Sequence, residues 1–327
     1  MSMPLITRCP GTLAEGFTAY SRTCQKRVFD GRSVSHILPY DSPVIGEAED
    51  NPFDKNRQYI SLSGVHEKFS VILDGNHLRL TREGERGTHI LKPVPQASRR
   101  PDQMPANEHL TMQIARQIFG IETAENALIF FRNGDPAYIT RRFDVREDGA
   151  KWAQEDFASL AGKTPSTHGA HYKYDGHYLE LFQLMKATVP AYAVEAPKLW
   201  QLLLFNYLFS NGDAHLKNFS LIETLMGDFR LSPAYDLLNS RIHIEDSEFA
   251  LEGGLLPPPL NQGTVAHRFT ILAAEAGIPD TIRQANFNRM TTQSERVERL
   301  VKASYLDERT KRNYWQAYQE RVKRLVK

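Results

Sequence analysis

The stretch "FSNGDAHLKNFSL", Phe209 to Leu221, directly follows an apolar run that begins at Trp200. Two asparagines, an aspartate, a histidine and a lysine thus stand right behind residues that ask for burial. Each of these polar groups needs a partner to offset its desolvation. The stretch is therefore either a well-capped turn or the seat of chemistry. Asp213 and Asn218 are five residues apart, after a helical run and before a short strand, so a compact loop can aim both at one volume. Phosphoryl transfer asks for a carboxylate near the acceptor hydroxyl and for oxygen ligands to magnesium. Lys217 can neutralise charge on a transferring phosphoryl group. His215 is read as orienting the carboxylate or bonding a backbone carbonyl, and not as a metal ligand.

Outward from this stretch, a second carboxylate for the metal has to come from another loop. Asp236, in "LSPAYDLL", follows a strand and lies 18 residues beyond Asn218, far enough for a hairpin to bring it back. Upstream, Lys92 sits on the apolar strand "HILK", and Glu108 lies on the inner side of a helix, where an unpaired carboxylate is costly. Both positions are explained by an ion pair near bound phosphates. "SLSGVHEK" supplies Ser61, Ser63 and Gly64, a loop able to cover phosphates through its backbone N–H groups, although it lacks the triple-glycine spacing of nucleotide loops. His168, His171 and His177 lie in Gly- and Tyr-rich sequence and read as solvated loop histidines.

The bulk numbers restrict the alternatives. With 327 residues, 41 % hydrophobic and 24 % charged, the chain can build one large domain or two lobes, each with its own core. A net charge of +1 demands neither nucleic acid nor membrane as partner. Between Arg309 and Lys327, however, seven Lys or Arg face one Glu. Tyr314, Trp315, Tyr318, Val322 and Leu325 give that tail a helical apolar rhythm, so it reads as a terminal helix packed on the body with a solvated basic face, the alternative being a basic surface that helps hold an anionic partner such as tRNA or DNA. Cys9 and Cys24 have neither zinc-site nor disulfide-framework spacing. With no leader-like start and no membrane-length apolar run, the expected location is cytoplasmic.

Along the chain, residues 1–57 are broken by proline and glycine, with a short helix over 21–29. Residues 68–73 and 77–81 alternate around Asp74-Gly75-Asn76 and predict a hairpin of open register. "THILKPVP" is a further strand, "ANEHLTMQIARQIFG" a helix with Glu108, Met112, Ala115 and Phe119 on one side, and "ENALIFF" with "PAYITRRF" a second hairpin. After Phe143 helical signals dominate: "EDFASL", "GHYLELFQLMKATVP" and "APKLWQLLLFNYLFSNG". Weak strands in "KNFSLIE" and "GDFRLSPAYDLL" bracket the polar stretch, and two or three helices complete the chain. The predicted class is α+β, with a strand-rich lobe over 58–143, a helical lobe over 144–327, and a cleft between them.

The string "NGDAHLKNFSL...LSPAYDLL", with "RRFD" at Arg141 to Asp144, "QEDF" at Gln154 to Phe157 and "LSGVHEK" upstream, resembles the HipA family of bacterial serine/threonine kinases, toxins of toxin–antitoxin systems. The resemblance implies a protein-kinase-like two-lobed fold and ATP with Mg2+ as cofactors. It makes Asp213 the catalytic base and Asn218 and Asp236 the metal ligands. Lys92, supported by Glu108, would reach the ATP phosphates; Arg141, through its backbone, and Phe143 would meet the adenine. Ser61 matches the loop serine that the family autophosphorylates to eject the loop and switch the kinase off. Ser63 gives the two-serine arrangement of short HipT-type members.

Larger HipA-like toxins carry an additional N-terminal subdomain for antitoxin contacts, whereas 60 residues precede Ser61 here. The resemblance is thus to a HipT-like toxin, whose missing part is expected as a separate HipS-like protein. Family substrates are aminoacyl-tRNA synthetases, with or without bound tRNA; DNA would be reached only through an antitoxin complex, and no membrane is involved. Two rivals remain at this stage. One is transfer of AMP by the same architecture; the other is a nucleotide-binding co-repressor subunit without transfer.

Overall fold

The structure, a computed structural model, describes residues 5–43, 68–95, 99–245 and 247–326. The chain forms two compact units. The first is Met1–Gln113, Ala124–Ala150 and Leu300–Lys311; the second is Ile114–Thr123, Lys151–Arg299 and Arg312–Lys327.

The first unit is built on a five-stranded antiparallel sheet of order β2-β1-β3-β5-β4. Its strands are β1 (Phe69–Asp74), β2 (His77–Leu80), β3 (His89–Pro93), β4 (Asn126–Phe130) and β5 (Pro136–Arg141). Both predicted hairpins are present. In the first, Asp74 pairs with His77, which settles the register and leaves Gly75-Asn76 as the turn, with Gly75 at φ 58°. The period-two pattern does its expected work: Phe69, Val71 and Leu73 are buried while Ser70 and Ile72 are only half-buried. Cys9, Tyr20, Cys24, Val28, Phe29 and Val34 join these side chains in one apolar core. Helix α1 (Arg22–Val28) starts where the Ser21 hydroxyl accepts from the Cys24 N–H. Both cysteines are free and buried.

Helix α2 (Met104–Gln117) departs from the one-sided reading. Every residue from Met104 to Ala115 is buried, including Asn107, Thr111 and Gln113. The polar ones are affordable inside because they find partners: Thr111 Oγ1 donates to Asn107 O at 2.9 Å and Gln113 Nε2 to Asn126 Oδ1 at 3.0 Å.

In the second unit a three-stranded antiparallel sheet, β6 (Gln154–Asp156), β7 (Ser220–Glu223) and β8 (Phe229–Leu231), accompanies the helices. "EDFASL" is not wholly helical: its first two residues belong to β6, and Asp156 caps the one-turn helix α3 (Phe157–Leu160) by accepting from the Ser159 N–H. Helices α4 (Pro165–His168), α5 (Leu179–Thr188), α6 (Tyr192–Leu208), α7 (Val265–Glu275) and α8 (Asp280–Thr291) follow. Two more, α9 (Ser294–Ala303) and α10 (Glu308–Val326), contribute residues to both units. Helix α6 begins four residues before the predicted Ala196 and carries Pro197 inside it. A proline is commonest at the first helical position, which is why the sequence reads as starting there. The second unit's core stacks Phe205 on Phe209 at 4.4 Å and Phe209 on Tyr318 at 4.9 Å. On α10, Tyr314, Tyr318 and Leu325 are buried as predicted and Trp315 and Val322 half-buried, but Arg321, counted with the basic face, is 2 % exposed. No described helix is long and apolar enough to cross a membrane.

His89 shows how burial in the first unit couples to pH. Its Nε2 lies 2.7 Å from the Val28 carbonyl and must donate there, while Nδ1 lies 2.8 Å from Thr88 Oγ1. Burial pushes the His89 ring down to about 4, and burial does the same to His109. The unfolded rings take a proton near 6.5, so this stabilisation is complete above that pH and is lost as pH falls toward 4. Stability from urea unfolding is expected to decline over that window by about 1.4 kcal/mol per pH unit for each such histidine. His89→Gln should make the decline shallower; an unchanged slope would refute the assignment.

Candidate active site

The polar stretch is a helix end that turns into a loop. Helix α6 stops in a double closure in which Ser210 N–H donates to Tyr207 O at 3.2 Å and Asn211 N–H to Asn206 O at 2.9 Å. The residue that must turn left-handed in this motif is usually glycine; here it is Ser210, at φ 51°, at a cost of about 1 kcal/mol. Its polar atoms are all engaged. Ser210 O accepts from the Ser240 N–H at 3.1 Å and hydroxyl at 3.0 Å, and Ser210 Oγ accepts from Arg321 Nε at 3.3 Å. The Arg321 guanidinium also donates to Ser247 O at 3.2 Å and lies 4.9 Å from the Tyr207 ring centroid. Gly212 comes next, and its N–H donates to Ser240 Oγ at 2.8 Å. A Cβ there would fall 2.6 Å from Ser247 Oγ and 3.2 Å from Ser240 Oγ, so only glycine lets these hydroxyls hold the loop.

Three tyrosines then donate to the loop that carries the candidate residues. Tyr174 OH reaches Asp213 Oδ1 at 2.7 Å, Tyr178 OH reaches Ala214 O at 2.7 Å and Tyr235 OH reaches Lys217 O at 3.0 Å. Asn218 closes a one-turn helix by donating its N–H to His215 O at 2.9 Å. Because Tyr235 precedes Asp236, its bond fastens the second carboxylate's strand exit to the same loop. The Asp236 carbonyl also accepts from Asn211 Nδ2 at 3.4 Å, and Asp236 itself stands at φ 55°. Backbone strain of this kind gathers at functional sites.

His215 is buried with its ring edge-on to Tyr174 at 5.2 Å. Burial pushes the ring down to about 4, against the opposing pull of Asp213 and Asp236, so both carboxylates share its surroundings and the ring is neutral at pH 7. Its Nδ1 has no hydrogen-bond partner among the described residues, so the expected orienting bond is not made at that atom. Lys217 departs further from expectation: its ammonium bonds Asp156 Oδ2 at 2.8 Å. Burial opposes that charge, but the Asp156 hydrogen bond and carboxylate hold Lys217 above its ordinary range. Any role toward a phosphoryl group would require Lys217 to share or release this partner.

Asn218 and Asp236 offer an amide carbonyl and a carboxylate, hard oxygen donors of the kind Mg2+ takes together with water and substrate phosphates. Among the described residues no three His, Cys, Asp or Glu side chains cluster closely enough to hold a metal by themselves. An amide carbonyl and a carboxylate are by their chemistry suited to Mg2+, whereas thiolate and imidazole donors favour transition metals.

In the first unit Lys92 and Glu108 form the anticipated ion pair. Nζ and Oε1 are 2.6 Å apart, the side chains are 13 % and 7 % exposed, and the ammonium lies 5.2 Å from the Tyr138 ring centroid. Arg141 keeps its N–H on Glu125 O at 2.7 Å and its guanidinium on Asp30 at 2.6 Å. Phe143 is half-buried. Ser61, Ser63 and Gly64 lie outside the described residues. Sequence reasoning missed Tyr174, Tyr178, Tyr235, Ser240 and Arg321 as parts of the site, and it quoted Asp156 only inside a motif.

Comparison with known proteins bears on this arrangement. The sequence pattern of the HipA-like C-terminal domain matches residues 60–303. The chain belongs to that family. A Sinorhizobium fredii protein named "Putative kinase Y4dM" is 33 % identical over 227 residues, 65 % of this chain and 51 % of the relative. A Haemophilus influenzae protein named "Putative kinase" is 26 % identical over 231 residues, covering 69 % of this chain and 64 % of its own. The matched part thus spans about half to two thirds of these relatives. HipA of the Shewanella oneidensis MR-1 toxin–antitoxin system, solved with HipB and operator DNA, superposes with a TM-score of 0.65 at 21 % identity, over 82 % of this chain and 65 % of that one. The Helicobacter pylori proinflammatory kinase CtkA gives 0.50 at 13 % identity, over 76 % and 90 %. The two-lobed α+β fold, with one strand-rich and one mainly helical lobe, is therefore that of HipA-like proteins.

The Lys92–Glu108 pair can be tested for structure apart from chemistry. Lys92→Met or Glu108→Leu alone breaks a buried ion pair by removing one partner and is expected to cost about 3–5 kcal/mol. The double variant should recover most of that loss. Urea midpoints of the three variants decide it; a double variant as unstable as both losses summed would refute the account.

Proposed function

We propose that this chain is an ATP-dependent serine/threonine protein kinase that acts as the toxin of a toxin–antitoxin system. The observation that carries the reading is the fixed Asp213–Asn218 loop, to which Tyr235 and Asn211 bind the segment bearing Asp236. Membership of the HipA-like family and relatives described as kinases support it.

In this reading Asp213 orients the acceptor hydroxyl and takes its proton through a carboxylate oxygen. Asn218 and Asp236 would hold magnesium, and in the first unit Lys92, paired with and aimed by Glu108, would meet the ATP phosphates. When bound, Mg–ATP would supply the transferable phosphoryl group, with the magnesium offsetting its developing charge. Arg141, by its backbone, and Phe143 would contact the adenine. His215 stays neutral and packs the base's loop, while Lys217 acts together with Asp156. The substrate class is a serine of an aminoacyl-tRNA synthetase, free or bound to tRNA. The partners are an antitoxin and a small HipS-like protein, as for a HipT-type member, with DNA reached only through the antitoxin complex and the cytoplasm as location.

Asp213→Asn and Asp236→Asn are each expected to lower transfer of γ-labelled phosphate to a panel of synthetases by more than about a hundredfold at saturating ATP. Near-normal transfer by either variant would defeat the assignment, and intact mass of the product distinguishes phosphate from AMP.

Ser61 and Ser63 carry the regulatory part of the proposal on sequence order alone. Phosphate on either would add about two negative charges to a loop that, in this reading, covers the nucleotide phosphates. The phosphorylated chain is expected to bind ATP more weakly and turn over more slowly than the Ser61→Ala/Ser63→Ala chain. Equal affinity and turnover, with occupancy verified by phosphosite mapping, would end this part.

A further inference from the structure

We propose that Tyr174 is a positioning residue for Asp213, fixing one oxygen of the base so that the other is presented to the acceptor hydroxyl; this rests on the kinase reading above. Tyr174 OH donates to Asp213 Oδ1 at 2.7 Å. Among the described residues Oδ2 receives no hydrogen bond, so one carboxylate oxygen is held and the other is open.

The phenol is itself held from several directions. The Tyr174 N–H donates to His171 O at 2.8 Å, and its carbonyl accepts from the Glu252 N–H at 2.9 Å. The following residue's carbonyl, Asp175 O, accepts from Lys163 Nζ at 2.9 Å. The ring lies edge-on to His215, and the Lys173 ammonium is 5.0 Å from its centroid. Four residues on, Tyr178 fixes the main chain at Ala214. One short segment thus sets both the backbone and the side-chain rotation of the base. Burial and the nearby Asp213 charge raise the Tyr174 phenol above its ordinary range, so it remains a donor at neutral pH. A carboxylate free to rotate would spend part of its time with neither oxygen on the acceptor, and near-attack geometry tolerates little misplacement.

Tyr174→Phe removes this one O–H and keeps the ring against His215 and Lys173. With γ-labelled ATP, and the chain itself and dephosphorylated casein as acceptors, kcat is expected to fall by about 10- to 100-fold. The KM for ATP should stay within about twofold, and the thermal midpoint should be that of the unsubstituted chain. Unchanged kcat would overturn the inference. So would faster transfer, which would mean that the phenol occupies the acceptor's place, or a loss of kcat matched by a lowered thermal midpoint. The unsubstituted and Asp213→Asn chains run alongside: transfer by the first and not by the second upholds the kinase reading whatever Tyr174→Phe does, and no transfer by the first overturns both.

Discussion

A helix that ends inside a core leaves carbonyls and amides that water cannot reach, and the way α6 meets this constraint governs the rest of the second unit. The chain closes the helix with a left-handed serine and surrounds that serine with donors. Ser240 and Arg321 come from segments 30 and 111 residues away in sequence, and both bond Ser210. This long-range satisfaction ties a short, polar, irregular loop to two distant segments of the chain. The candidate base follows within three residues, so any slack at Ser210 would be passed directly to Asp213.

The first unit solves a different problem. Two opposite charges are buried where a sheet meets a helix, and they are tolerated because they neutralise each other beside an aromatic face. A pair of this kind contributes little to stability compared with apolar side chains of similar size. Under the proposed kinase reading, the pair would serve to set the direction of the lysine in advance.

How far the sequence could be read depended on the range of the interactions involved. The hairpin at Asp74–His77, the strand bearing Lys92 and the extent of α5 follow from local periodicity and turn residues. The proximity of Asp236 to the polar stretch was also legible, because a hairpin of that length has few ways to return. The phenol donors were not. Tyr174 and Tyr178 meet the loop across 39 and 36 residues, and nothing periodic marks a tyrosine whose hydroxyl is used from one whose ring simply packs. Arg321 was hidden for a related reason: in a run of lysines and arginines the one that turns inward carries no local sign. The all-round burial of α2 escaped because Asn107, Thr111 and Gln113 look polar until their partners are placed.

The frame around the loop has a chemical consequence of its own. Burial lifts the phenols of Tyr174, Tyr178 and Tyr235 above their usual range, the Asp156 partner keeps Lys217 charged, and the His215 ring stays neutral down to about 4. None of these five neighbours changes its proton count across the acidities a living cell visits. What these five groups contribute to the setting of the carboxylates is therefore written once, when the chain folds, and does not follow swings in cellular acidity.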